Sequence, residues 1–293
     1  MPIDIAHYHG WSGRLRGPWY SSLAVARATL RQVFRRKLLW VLLALGLFNF
    51  LLYFALIYAS TQFPRVGDRL LERMDFVVRP DAQQRNGYLR FIEQQGLVVM
   101  MLLAFAGSVL IGGDFRQRGV AFYLAHGLHP VHYLAGKWLA VAGLLALVTA
   151  LPALVLFLEY GLFTNDWHYW WDNRAVIWSV LGYTLVMAVV LGVLLLALGA
   201  WLHKTVPIAI TWTSLLVLSG AVAGQLASST GNRDWLLLNL WRNVRVVGRW
   251  FFGFYPRPED RLLAPWAAGI LAGLVALCLG FLWWQLVRLR RWE

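Results

Sequence analysis

Three histidines, His126, His129 and His132, recur at i, i+3 and i+6, a spacing that would line imidazoles along one helix face for a metal ion. Gly127 and Pro130 spoil the helix that this alignment needs, and no carboxylate or thiol stands nearby to complete a ligand set. A second combination, Asp166 and His168 with Glu159 upstream, holds the acid and base of a hydrolytic pair. It sits among Trp167, Trp170 and Trp171, company that marks a membrane interface better than a catalytic cleft. Metal binding and catalysis are therefore not the expected functions, and no enzyme activity or bound cofactor is assigned to this chain.

The more informative cluster lies between two long apolar stretches. Asp114-Phe115-Arg116-Gln117-Arg118-Gly119 leads into Phe122, Tyr123 and Leu124, and Lys137 stands at the mouth of the next apolar run. A plain hairpin between membrane helices needs only a handful of residues. A longer wedge with charges and aromatic rings suits docking: the rings fill a groove on a soluble partner while the charges stay wet.

The elements that position this wedge follow from composition. Apolar residues are 59% of the 293 and charged residues 14%, too little charge to cover a soluble domain of that size. A bilayer core takes about 20 apolar residues as helix. Six windows meet that length: Leu38–Ala59, Gly96–Gly112, Trp138–Leu158, Ala175–Leu202, Thr205–Ala227 and Leu262–Val287. None contains an acidic residue, Lys or Arg, and helix is the expected form because lipid offers no partner to an unpaired backbone group. The expected absence of any buried ion pair argues against a proton-coupled carrier, which usually keeps an intramembrane carboxylate. The fold class is thus all-α, a six-span integral membrane protein.

Many of the 17 tryptophans, among them Trp40, Trp138, Trp167, Trp170, Trp171, Trp201, Trp266, Trp283 and Trp284, are expected at headgroup depth. The single cysteine, Cys278, falls within the last window and supports no disulfide framework. The first window is too long for a signal-peptide core and has no small-residue cleavage site after it, so it reads as a retained span. A net charge of +13 invites nucleic acid, but base-reading modules need a soluble fold, and cations flanking spans meet anionic lipid instead. No nucleic-acid partner is expected.

Arg27, Arg31, Arg35, Arg36 and Lys37 precede the first window, and no further cation follows it until Arg65. This asymmetry places the N-terminus in the cytoplasm, and six spans return the C-terminus there. Over the whole chain the 27 cations divide almost evenly between the two sides, so the first span decides. Residues 1–37 form a cytoplasmic lead-in and helix; 38–293 form the membrane domain. From Trp19 to Lys37, Leu23, Ala26, Leu30 and Val33 mark one stripe and Arg27, Arg31 and Arg35 another. Such a helix is expected in the membrane interface, apolar face down.

Other segments carry weaker signals. Residues 60–95 predict a small helical hairpin over the outer mouth, turning at Asn86-Gly87. Asn165–Asn173 predicts an outer turn. Asn239, Arg242, Arg245 and Arg249 stripe an otherwise apolar helix, interfacial or re-entrant, because three arginines in lipid would be expensive. Gly269-x-x-x-Gly273 predicts close packing within the chain. Asn49, Ser108, Thr149, Thr211, Thr213 and Ser214 line a path or bond to neighbouring helices, and Pro152 and Pro207 bend or start theirs.

Gly113-Asp114, Arg118-Gly119, Tyr123-Leu124-Ala125 and Tyr133-Leu134-Ala135-Gly136-Lys137 follow the order seen in one family. In these residues the chain resembles the type-2 exporter permeases of the ATP-binding-cassette (ABC) superfamily. It departs from them at Gly127-Leu128-His129-Pro130, where the family tends to have Pro first and Arg last. With the six-span count and the preceding helix, the resemblance runs over most of the chain, though not over 60–95 or 228–261. It implies a coupling helix containing Asp114, Phe115, Arg116, Arg118, Gly119, Phe122 and Tyr123, and a connecting helix containing Arg27, Arg31 and Arg35. It also implies a separate ABC ATPase subunit carrying ATP and Mg, a homodimer or pairing with a second permease, membrane lipids as surroundings, and a bacterial inner (plasma) membrane. In agreement, the only Gly-Lys, Gly136-Lys137, is followed by Trp138 and opens no phosphate-binding loop. A fused nucleotide-binding domain would add a couple of hundred residues. The competing reading is a membrane-embedded enzyme or assembly scaffold acting without an ATPase, in which Asp166 and His168 would be essential.

Overall fold

The computed structural model describes residues 18–63, 69, 87–110, 130–165, 167–202, 204–255 and 258–290. Among them 93% are helical and none is in a strand. The chain opens with α1 (Pro18–Phe34) and α2 (Lys37–Gln62). After these come α3 (Gly87–Gln94), α4 (Gly96–Leu110), α5 (Pro130–Val148), α6 (Ala150–Thr164) and the short α7 (Trp167–Asp172). Then follow α8 (Ala175–Leu202), α9 (Thr205–Thr230), a 3-10 helix (Arg233–Leu238), α10 (Leu240–Phe252) and α11 (Pro258–Arg290).

Six stretches are long and apolar enough to cross a membrane: Lys37–Gln62, Gly87–Phe105, Val131–Thr164, Ala175–Leu202, Val206–Thr230 and Asp260–Gln285. Each overlaps one window read from the sequence, and together they make this a multi-pass membrane protein. The bundle has a centre and a rim. α8 is the centre, 72% buried over its apolar window, against 17% for α2 and 22% each for α9 and α11. Exposed Leu45, Phe48, Leu51, Val217, Leu218, Leu277 and Trp284 on the rim helices would be untenable in water and are at home against lipid chains.

The third span is broken once. Pro152 lacks the N–H that would bond Val148, so α5 ends there and α6 restarts after Thr149. Thr149, at the break, ties the span to its neighbour: its hydroxyl lies 2.7 Å from the Leu145 carbonyl and 3.2 Å from the Thr184 hydroxyl on α8. With 34 residues this span is about 50 Å long at the usual rise, well over a 30 Å hydrocarbon core. The span therefore has length to spare beyond the bilayer.

Several expectations change. Trp138 is engaged within the bundle: its indole donates to the Ala188 carbonyl at 2.9 Å, halfway along α8. Lys137 lies inside α5, 3% exposed, with its ammonium 5.7 Å from the Tyr133 ring centre. Gly269 and Gly273 make no close approach among the described residues: a β-carbon at either would have no described neighbour within 4 Å. The Trp-rich segment expected as a turn is in part a helix, α7, whose Tyr169 is buried. The predicted hairpin over 60–95 falls mostly outside the described residues, apart from the end of α2 and helix α3.

Candidate functional site

Asp114, Phe115, Arg116, Arg118, Gly119, Phe122 and Tyr123 lie outside the described residues. What the structure does show is how their neighbours are held. α4 ends at Leu110 and α5 begins at Pro130, so both flanks of the segment reach one end of the bundle. α1 lies at that end too, packed along the first turns of α5. Trp19 meets His132 edge-on with ring centres 6.0 Å apart, Val25 abuts Gly136, and Leu30 reaches toward Gly143. These pairs advance together along both chains, so α1 and α5 run in the same direction.

Gly136 is what permits this contact. A β-carbon there would stand 2.6 Å from the Ser22 carbonyl oxygen and 2.7 Å from the Val25 β-carbon, distances no side chain tolerates. The buried face of α1 is Ser22, Val25, Ala26, Thr29 and Val33. That is a correction to the stripe read from sequence: Leu23 is 61% exposed, and the apolar face is given to α5 rather than to lipid. Thr29 is accommodated by bonding the Val25 carbonyl at 2.6 Å. Arg27, Arg31 and Arg35 are exposed, beside an exposed apolar edge of Trp19, Tyr20 and Leu23. The Trp40 indole closes the elbow between α1 and α2 by donating to the Phe34 carbonyl at 2.9 Å.

The opposite end of the bundle carries a feature that the sequence windows concealed. The 3-10 helix and α10 re-enter the bundle alongside α9. Asn239 comes within 3.2 Å of a β-carbon built on Gly220, about 15 Å from the Thr230 end by helix rise. Asn239 is there as a cap: its side chain accepts from the Arg242 amide at 2.9 Å. Asn243 ties the two helices by donating to the Leu237 carbonyl at 2.6 Å. On the α8 side, Gly248 packs so closely on Tyr183 that a β-carbon would lie 2.2 Å from its ring, and the Ser179 hydroxyl donates to the Phe251 carbonyl at 2.6 Å.

The arginines of α10 are paired. Arg249 Nε donates to Glu93 Oε1 on α3 at 2.6 Å, and its Nη1 donates to Asp260 Oδ2 on α11 at 3.2 Å. Arg242 Nη2 donates to the other oxygen of Asp260. Side-chain exposure is 13% for each arginine, 11% for Glu93 and 5% for Asp260, so these are buried ion pairs. Burial works against the Arg249 charge, but the hydrogen bond and charge of Glu93, followed by Tyr183 and Asp260, outweigh it and raise its pKa above the ordinary value. The expectation of no buried ion pair is thus overturned. Glu93 and Asp260 stand two or three residues outside the apolar windows, close enough to be drawn inward by an α10 that brings its own cations.

Between α2, α4 and α9 lies an apolar cavity of about 570 Å³, lined by Leu42, Met100, Trp212, Thr213 and Leu216 among others. The Trp212 indole closes its wall by donating to the Met100 carbonyl at 3.2 Å. Of the scattered polar groups, Thr149 bonds between helices, Thr213 borders this cavity, and the Asn49 amide nitrogen is buried without a hydrogen-bond acceptor. Among the described residues no group of three His, Cys, Asp or Glu could hold a metal ion; His126, His129 and Asp166 lie outside them. Glu159 is buried and His168 exposed. No family model matches the chain, and no curated protein matches it.

Proposed function

We propose that this chain is the membrane-spanning subunit of an ABC exporter of the type-2 kind, driven by ATP hydrolysed on a separate subunit and working as a homodimer or with a second permease in a bacterial inner membrane. The observation that carries the proposal is the seating of α1 along α5 across Gly136, immediately after residues 111–129. In this reading 114–132 is a lever on the cytoplasmic side. The rigid α1–α5 contact passes its motion into the third span, while α4 carries it from the other flank. Arg27, Arg31 and Arg35, exposed beside Trp19 and Leu23, supply the face for anionic headgroups or for the ATPase. The apolar cavity between α2, α4 and α9 is the surface a cargo would meet.

The test is co-purification of the tagged chain with an ATPase encoded beside it, with ATP turnover measured in nanodiscs. Arg118→Asp together with Tyr123→Asp is expected to abolish stimulation of the ATPase. If assembly and stimulation both survive those changes, the coupling role is wrong.

A further inference from the structure

Arg242, Arg245 and Arg249 occupy one side of α10 at spacings of three and four. Arg242 and Arg249 are ion-paired with the two carboxylates of Glu93 and Asp260. Arg245 has no ion pair among the described residues, and its Nε is buried with no hydrogen-bond acceptor. Among the described residues the cluster therefore shows three cations against two anions. Next to it the Tyr183 hydroxyl is fully buried, also without a hydrogen-bond partner, and the Tyr183 ring packs on Gly248, about one helical turn from Arg245.

Two unused donors beside an uncompensated charge, at a site where water is largely excluded, describe half of an anion site. A guanidinium fork plus a phenol matches the oxygens of a tetrahedral oxyanion. Arg245 as a residue is partly exposed, while its Nε and the Tyr183 hydroxyl are themselves buried. The same end of the bundle presents Trp167, Trp171 and Trp266 to the surroundings, rings that prefer headgroup depth. We propose that Arg245 and Tyr183 form a binding site for a phosphate-type oxyanion, supplied as the phosphodiester of a lipid headgroup or as free phosphate.

The full chain, purified and stripped of lipid, would be assayed with two probes. Native mass spectrometry would read retention of phosphatidylglycerol, and intrinsic tryptophan fluorescence would follow titration with inorganic phosphate. Arg245→Gln is expected to weaken binding of the responding probe about tenfold, and Tyr183→Phe by a few-fold, as befits loss of a charged and a neutral hydrogen bond. Arg174→Gln, which changes an exposed cation lying 5.0 Å over the Trp171 ring, should leave binding unchanged. A response to phosphatidylglycerol alone identifies a lipid as the source, and a response to phosphate alone identifies a soluble anion. The proposal is overturned if the native chain binds neither probe, or if Arg245→Gln and Tyr183→Phe both bind as tightly as the native chain.

Discussion

Arg27 and Arg31 on α1, and Arg242 and Arg249 on α10, are the same side chain at comparable helical spacing, at opposite ends of one bundle. The α1 pair is exposed, while the α10 pair is buried against Glu93 and Asp260. The contrast comes from what each helix packs against. α1 gives its small and apolar face to α5 and keeps its cations outside, where they are free to meet another molecule. α10 is inserted among α3, α8, α9 and α11, so its cations are enclosed and need internal partners. A basic stripe at the rim is thus an interaction surface, and a basic stripe within the bundle is a fastening.

The strongest way to break this comparison is Arg249→Leu. It strands Glu93 and half of Asp260 as buried charges, and a loss of about 3–5 kcal/mol is expected, read as a large fall in Tm in detergent. Arg31→Leu at the other end should leave Tm unchanged. Equal effects would mean that burial does not separate the two sets.

Gly136→Leu comes next. Overpacking the α1–α5 contact should cost about 1–3 kcal/mol and lift α1 away from the bundle. Limited trypsin digestion should then cut faster after Arg27 and Arg31, while protection of the α10 end stays as it was. Uniform loss of protection at both ends would show that α1 is not a separable unit.

A smaller effect is expected from Thr149→Val, which removes the hydroxyl bonding across the break in the third span. The loss should be about 1 kcal/mol, one ordinary buried hydrogen bond. The smallest effect on stability is expected from replacing Arg27, Arg31 and Arg35 together by Gln. Here the readout is association with vesicles containing anionic lipid, which should weaken in the variant. The native chain should lose it as salt is raised, since exposed charges are screened within about 10 Å at 0.1 M. Vesicle binding that ignores both the substitutions and the salt would remove the surface role of α1.

The six spans were legible because apolar runs of bilayer length have few alternatives, and Pro152 and Pro207 marked a break and a helix start where backbone chemistry requires them. The amphipathic character of α1 was legible as well, since a helical period survives in the sequence whatever covers it. Its buried stripe differs from the expected one by a fraction of a turn: Leu23 is more apolar than Ser22 or Thr29, yet the partner surface at Gly136 has room only for small groups. Trp138 was not legible because an indole suits headgroups and a helix carbonyl equally well, and sequence does not say which is near. Glu93 and Asp260 escape notice because each lies just outside an apolar window, with its partner in a distant segment. Tyr183 escapes it as one aromatic residue among many in an apolar run.

By itself the sequence determined the solvent and the secondary structure: lipid, because the charge is too sparse for water, and helix, because lipid leaves the backbone no other partner. It also determined the cost of placing arginines on α10. Only the tertiary structure decided how that cost is met, since ion pairing depends on separations of a few ångströms between residues far apart in the chain. The fold brings Glu93 and Asp260 to Arg249 and leaves Arg27, Arg31 and Arg35 facing outward.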